Sequence, residues 1–281
     1  MADETGGSAA QRPQSLMLTL LGEHVLLDDV CIYSGSVIAM LGRLGISEHA
    51  TRSTLARMVN RGLLRRRPDG RRMYYGLTER CAAILQDGRQ RLWHTNAVND
   101  DWDGGWTLLS FSLPESWQRQ RHDLRSQLTW AGFGPLQGGL WVAPGHVRVD
   151  SIVAGLGLAA HVRVFRAAAD ESTDVDQMLS DAYDLPAIAA HYEAFLRRWE
   201  EPDPAVEADP LATRLAIITQ WLQVLRRDPR LPRQHLPGDW PASPAQKVFR
   251  RTAADVDEPA RQIAASLLET LPDLEVLPDP A

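Results

Sequence analysis

Lysine is almost absent from this chain: Lys247 stands alone beside 29 arginines, so any lysine-dependent chemistry would have to run through one residue. Cysteine is nearly as scarce. Cys31 and Cys81 lie far apart, which excludes a disulfide framework and a cysteine metal box and leaves a reduced, cytoplasmic setting as the simple expectation. No apolar run approaches the ~18–20 residues that a membrane span needs. The opening MADETGGSAAQRPQ is polar and reads as a tail, residues 1–14, and not as a signal peptide. The G-x-S-x-G elbow, the H-E-x-x-H zinc motif and the G-x-x-x-x-G-K-[ST] phosphate loop are all missing. The eight histidines are scattered without metal-ligand spacing. Catalytic residues, metal ligands and cofactors are therefore expected to be none, and the chain is not expected to be an enzyme.

What is present is arginine in one place. Eight arginines and a single acid fall between Arg52 and Arg72, in a chain whose net charge is -6. The bulk number hides a split. Residues 15–93 carry 12 Arg against 7 Asp/Glu, whereas residues 94–281 carry 17 Lys/Arg against 27 Asp/Glu. A basic front and an acidic back suggest an anion-binding module joined to parts that do not bind polyanions. A length of 281 residues suits two or three domains.

The hydrophobic pattern supports a division into α+β parts. LMLTLLGEHVLL reads as a helix ending near Gly22 or soon after, and SGSVIAMLGRLGI as a second with Ser36 as its cap and Gly45 as its stop. Ser47 caps a third, SEHATRSTLARMVNR, which Gly62 ends. Thr51, Leu55, Met58 and Val59 share one face of that helix at 3.6-residue spacing. Two strands, Leu63–Arg67 and Met73–Leu77, flank a Pro68-Asp69-Gly70 turn. TERCAAILQDGRQRLW closes a winged helix-turn-helix domain over residues 15–95. Residues 96–105 read as a linker. Residues 106–170 alternate as βαββαβ, a ferredoxin-like plait. Residues 171–281 read as a helical domain. Its elements are DVDQMLSDAYDL, PAIAAHYEAFLRRWEE, a Pro-rich break at EPDPAVEADP, LATRLAIITQWLQVLRRD, an extended RDPRLPRQHLPGDWP, AQKVFRRTA and EPARQIAASLLETL.

A recognition helix lies in the major groove with its N-terminal residues at base edges. That nominates Ser47, His49, Arg52, Ser53 and Arg57. Arginine can fork to guanine O6 and N7, while a bland alternative for Arg52 is an ion pair with Glu48 one turn earlier. Ser47 reads first as a helix cap and second as a phosphate contact. The hairpin adds Arg65, Arg66, Arg67, Arg71 and Arg72, of which alternation lets only some face DNA. The bland reading is a charged edge that resists strand aggregation. Tyr74 and Tyr75 alternate: one packs inward and the other, assigned to Tyr74, touches a phosphate. Trp106, Trp117, Trp130 and Trp141 read as packing. Three Arg-Arg pairs in the C-terminal helices read as solvated helix ends, with binding of a CoA phosphate as the alternative.

The segments SGSVIAMLGRLGISEHATRSTLARMVNRGLLRRR and GRRMYYGLTERC resemble the N-terminal winged helix of the PaaX family, repressors of phenylacetate degradation. WTLLSFSLPE and LRSQLTWAGFGPLQGGLWVAPGHV resemble that family's central ferredoxin-like domain. RDPRLPRQHLPGDWP resembles the LP-x-x-LLP-x-x-WP segment of its C-terminal domain. Two places depart: His235 stands where the family more often has Leu, and SLMLTLLG replaces the usual opening of the first helix. The resemblance implies a transcriptional repressor of a catabolic operon that binds double-stranded, palindromic operator DNA as a homodimer. It also implies release by a small metabolite, an aryl-CoA or acyl-CoA thioester, at a site that no motif locates. Two other classes stay open. The plait also resembles the small nuclease subunit of CRISPR adaptation modules, which would make Glu115, at the end of the first plait strand, a metal-dependent nuclease residue. The winged helix could instead bind a protein partner through its basic strip.

Overall fold

The computed structural model describes residues 13–200 and 208–273. Most of the tail expected over 1–14 lies outside them, as does most of the expected EPDPAVEADP break. Pro13 and Gln14 instead open α1 (Pro13–His24), where proline's fixed φ suits a first turn. Then come β1 (Val30–Tyr33), α2 (Ser34–Gly42), α3 (Glu48–Asn60), β2 (Leu64–Asp69), β3 (Arg72–Leu77) and α4 (Glu79–His94). The chain divides into two compact units. Of the described residues, one gathers those up to Thr95, those between Arg198 and Leu222 and those from Val248 onward; the other holds Asn96–Arg197 and Gln223–Lys247.

The first unit is organised by helix faces. Leu16, Met17, Leu20 and Leu21 of α1 are almost fully buried, at the three-to-four-residue spacing of one helical stripe. They meet Val37, Met40 and Leu41 of α2 and Leu55 and Met58 of α3. Ser47 caps α3 as expected, accepting the Ala50 N–H at 3.2 Å. Thr78 caps α4 in the same way, through Cys81 N–H at 3.3 Å. Ser36 does not cap α2. The cap position is Tyr33, without a side-chain bond, and Ser36 Oγ lies inside the helix and accepts the Glu269 N–H at 3.0 Å. From the C-terminal part come α9 (Pro210–Leu225) and α11 (Asp257–Leu267). Their Leu211, Leu215, Ala260 and Ala264 complete this core. Thr19 and Thr219 share a hydroxyl–hydroxyl hydrogen bond of 2.7 Å within it, so neither polar group is left unpaired.

The sheet of this unit runs β2-β3-β1-β8, where β8 is Thr270–Pro272, with every pair antiparallel. Two of its strands carry no clear signal in the sequence, β1 and β8. The helix expected to continue through LLETL stops at Leu267, because Leu268 turns extended and the next residues pair with β1. The hairpin also differs in its turn. Pro68 pairs with Met73 and Asp69 with Arg72, so only Gly70 and Arg71 remain outside the ladder. Gly70 takes a φ of +54°, a conformation that glycine adopts without strain. Pro68 is tolerated because β2 is an edge strand, where a missing N–H costs no ladder bond.

The second unit holds β4 (Gly105–Phe111), α5 (Gln118–Trp130), β5 (Gly134–Pro135), β6 (Leu140–Pro144), α6 (Asp150–Gly155) and β7 (Val162–Ala168). The sheet order is β5-β6-β4-β7, all antiparallel. A βαββαβ chain with its first and third strands central is the ferredoxin-like plait. Leu109, Leu124, Leu128, Phe133 and Trp141 fill one face of the sheet. Trp106, Val142, Leu179 and Leu231 fill the other, beneath α7 (Val175–Ala182). Tyr183 ties its hydroxyl to the Gly132 and Val142 carbonyls, at 3.0 and 2.7 Å. Two further α-helices among the described residues are α8 (Leu185–Trp199) and α10 (Ala242–Asp255). Among the described residues no helix is long and apolar enough to cross a membrane.

Candidate nucleic-acid interface

With Thr51, Thr54, Leu55 and Met58 turned inward, α3 leaves Ser47, His49, Arg52 and Arg57 on its exposed side, and Ser53 half-buried. Arg52 reaches back one turn to Glu48 at 2.7 Å, the pairing weighed above. Both side chains remain well exposed, and surface pairs of this kind contribute only ~0–1 kcal/mol. The guanidinium is therefore held loosely enough to exchange partners. Arg57 donates to Thr54 Oγ1 at 2.9 Å, which orients it along the helix.

The hairpin arginines sort into two groups. Arg66 and Arg71 are exposed and, among the described residues, have no hydrogen-bond or ion-pair partner. Arg65, Arg67 and Arg72 are engaged by the C-terminal strand. Arg65 donates to the Asp273 carboxylate and to the Leu77 carbonyl, Arg67 donates to the Pro272 carbonyl, and Arg72 pairs with Glu269. Arg72 also lies over the Tyr33 ring at 5.3 Å, within cation–π range.

Tyr74 is displaced from the role expected of it. It is 2% exposed, so it cannot meet a phosphate directly; it packs beside Tyr33 at 5.5 Å and its hydroxyl donates to Glu269. Both Tyr74 and Tyr75 face inward to the extent of being buried. The bond from Tyr74 pulls the Glu269 carboxyl below its usual range, with Arg72 adding to the effect. The same bond raises the Tyr74 phenol. Sequence reasoning named none of the acids in this arrangement. Glu269 and Asp273 are brought to the hairpin only by the pairing of β8 with β1.

Elsewhere the candidate residues stay apart from any such constellation. Glu115 lies beside an open cavity of about 520 Å³ with Gln118, Arg121, His122 and Arg125, a wall without a second carboxylate. Among the described residues no group of three or more His, Cys, Asp or Glu converges as a metal site would require. Cys31 and Cys81 are buried free thiols, and burial pushes Cys81 up to about 11, which makes it unreactive.

Known proteins match this chain along most of its length. Residues 12–81 match the PaaX-like protein family, residues 99–179 the PaaX protein central Cas2-like domain, and residues 183–266 the PaaX-like protein C-terminal domain. The transcriptional repressor PaaX of Escherichia coli K12 is 28% identical over 257 residues, covering 85% of this chain and 80% of that protein. An uncharacterised protein from Mycobacterium tuberculosis superimposes with a TM-score of 0.60 at 24% identity, over 92% of this chain and all of its own, which establishes a shared fold. With three successive domain matches along its length, this chain belongs to the PaaX-like family.

Proposed function

We propose that the protein is a sequence-specific transcriptional repressor whose residues 15–95 act as a winged helix-turn-helix. In this reading α3 enters the major groove, where Arg52 and Arg57 read base edges and Ser47, His49 and Ser53 contact edges or phosphates. Arg66 and Arg71 bind the phosphate backbone, joined by Arg65, Arg67 and Arg72 when these exchange acidic partners for phosphates. The observation that carries the reading is the exposed basic face of α3 followed by a hairpin with two exposed arginines that have no partner among the described residues, Arg66 in β2 and Arg71 in the turn. The repressor named among its relatives supports the same class.

The finer parts follow from that class. The protein would act as a homodimer on a palindromic operator, since two-fold DNA sites mirror two-fold proteins. The edge strand β7 supports this: it exposes Val164 and Phe165, at 44% and 55%, on an unpaired rim of the plait. A small metabolite, an aryl-CoA or acyl-CoA thioester, would favour a state whose recognition helices no longer match the half-site spacing. The buried, unpaired cysteines suit a reducing cytoplasm. Fluorescence anisotropy with DNA from upstream of the protein's own gene, with and without a thioester, tests the reading. Tight binding relieved by a thioester supports all of it. Absence of binding to this DNA and to fragments selected from the whole genome would overturn it.

A further inference from the structure

A second basic place exists in the first unit, away from the α3 face. A cavity of about 410 Å³ is lined by Glu23 and His24 of α1, Arg89, Trp93 and His94 of α4, Arg214 of α9, and Asp257 and Arg261 of α11. Its volume falls within the range of sites that enclose small molecules, ~300–1,000 Å³.

Most of the charge on its wall is already committed. Arg214 is nearly buried and spends its guanidinium on Glu23 at 2.7 Å, Asp257 at 2.9 Å and the Ala253 carbonyl at 3.0 Å. It frames the cavity and has little left to offer a ligand. Arg261 pairs with Asp257 at 2.7 Å and Glu258 at 3.2 Å. Two groups are left over. Arg89 has no hydrogen-bond or ion-pair partner among the described residues. His24 Nε2 is buried and has none either. Buried polar atoms are nearly always paired, so this orphan, covered by the wall of the cavity, marks a place where a partner is missing. Trp93 adds an aromatic ring to the lining, packed against Phe249 with ring centroids 5.6 Å apart and with the Arg214 guanidinium 5.9 Å from its centroid.

We infer that this cavity binds a small organic oxyanion, a carboxylate or a phosphate ester, held by the Arg89 guanidinium beside the Trp93 ring, with the His24 Nε2–H as a second donor once the ligand opens the wall that covers it. Burial disfavours the charged imidazole at His24, so it offers one N–H as a neutral ring. Arg89 supplies the forked, permanent charge that oxyanions select. This inference rests on the regulator reading and gives its effector a location. Asp257 and Arg261 sit in the first half of α11, and the same helix leads through Leu268 into Glu269 and β8, which hold Arg65, Arg67, Arg72 and Tyr74. A ligand in the cavity would thus lie against the first half of α11, whose other end leads into the segment that grips the hairpin.

Calorimetric titration of the full chain with benzoate, benzoyl-coenzyme A and inorganic phosphate tests the site, with DNA binding of the same preparations followed in parallel. The two organic probes separate the sources: benzoate binding assigns a carboxylate ligand, and benzoyl-coenzyme A binding alone assigns a phosphate ester. In either case Arg89→Ala is expected to weaken the bound probe by about ten-fold or more, the loss of a charge-assisted bond. His24→Phe is expected to weaken it too, and unaltered DNA binding by Arg89→Ala shows that this variant is folded. No saturable binding of any probe, or binding unchanged by Arg89→Ala, overturns the inference. Phosphate binding as tightly as the organic probes would reduce the site to an anion contact and overturn it as well. A chain that binds DNA but no probe overturns this inference alone, whereas a chain that binds a probe but no DNA overturns the regulator reading and leaves the site standing.

Discussion

Arg65 and Asp273 lie 208 positions apart, yet they form an ion pair in which the Asp273 side chain is only 6% exposed. The pair exists because β8 adds to the open edge of β1 and delivers its acid to the foot of the hairpin. Arg67 and Arg72 are held by the same short segment. A carboxylate and a phosphate compete for the same guanidinium face, so in the proposed DNA complex phosphates would have to displace the C-terminal segment from these three arginines.

Releasing the strand should therefore strengthen DNA binding. The double substitution Glu269→Gln and Asp273→Asn is expected to tighten affinity for duplex DNA. It should also steepen the dependence of log K on log salt by up to ~0.9 for each additional phosphate contacted. Anisotropy titrations at several salt concentrations measure both. An unchanged slope would mean that these arginines never reach phosphate.

The two groups of arginine should fail differently. Arg52→Ala is expected to cost ~1–3 kcal/mol on the cognate site and to relax discrimination at one base position. Arg71→Ala is expected to weaken all sequences alike and to lower the salt slope by about one. Binding to a set of single-base operator variants separates these outcomes. Equal loss on every variant for Arg52→Ala would remove it from base reading.

Gly134 has no room for a side chain. A Cβ there would stand 2.5 Å from the Ala182 carbonyl oxygen and 2.7 Å from the Tyr183 ring. Gly134→Ala is therefore expected to lower stability by ~1–3 kcal/mol through displacement of β5 from α7. A fall in the urea midpoint at constant slope would show it, and an unchanged midpoint would contradict the packing described for the plait.

Asp228 provides a test through pH. It is buried, it accepts hydrogen bonds from the Tyr192 hydroxyl and the Arg230 N–H, and burial raises its carboxyl above the usual value despite them. The folded protein thus holds a proton that the unfolded chain would release. Its stabilising share is present below the unfolded carboxylate range and declines as pH rises through the raised folded value. Asp228→Asn should flatten that part of the stability–pH curve. A wild-type curve already flat in this window would contradict the assignment.

Much of the α3 and hairpin region was legible because its signals are local. Ser47 lies one residue before α3, Gly62 after it, and the buried residues repeat at helical spacing. The βαββαβ order of the plait was legible for the same reason, since turn glycines such as Gly104, Gly132, Gly139 and Gly145 punctuate its first three strands. β1 was not, because VCIY is four residues long and abuts a helix. β8 was not, because LLETL continues the apolar spacing of α11 and only a partner some 240 residues earlier makes Thr270 extended. At the candidate site the arginines could be read from their density. Their acidic partners could not, since Glu269 and Asp273 meet the hairpin only through that long-range pairing. Tyr74 was assigned outward on strand alternation, but both hairpin tyrosines became buried once β1 and the C-terminal acids covered them.

The most direct test of the account is the affinity of the full chain for DNA from upstream of its own gene, measured by anisotropy at two salt concentrations for the wild type and for Arg52→Ala/Arg57→Ala. Tight, steeply salt-dependent binding is expected of the wild type. The double variant is expected to bind this DNA only as weakly as unrelated DNA, with most of the salt dependence retained. Equal binding of cognate and unrelated DNA by the wild type, or full cognate affinity in the double variant, would contradict the account.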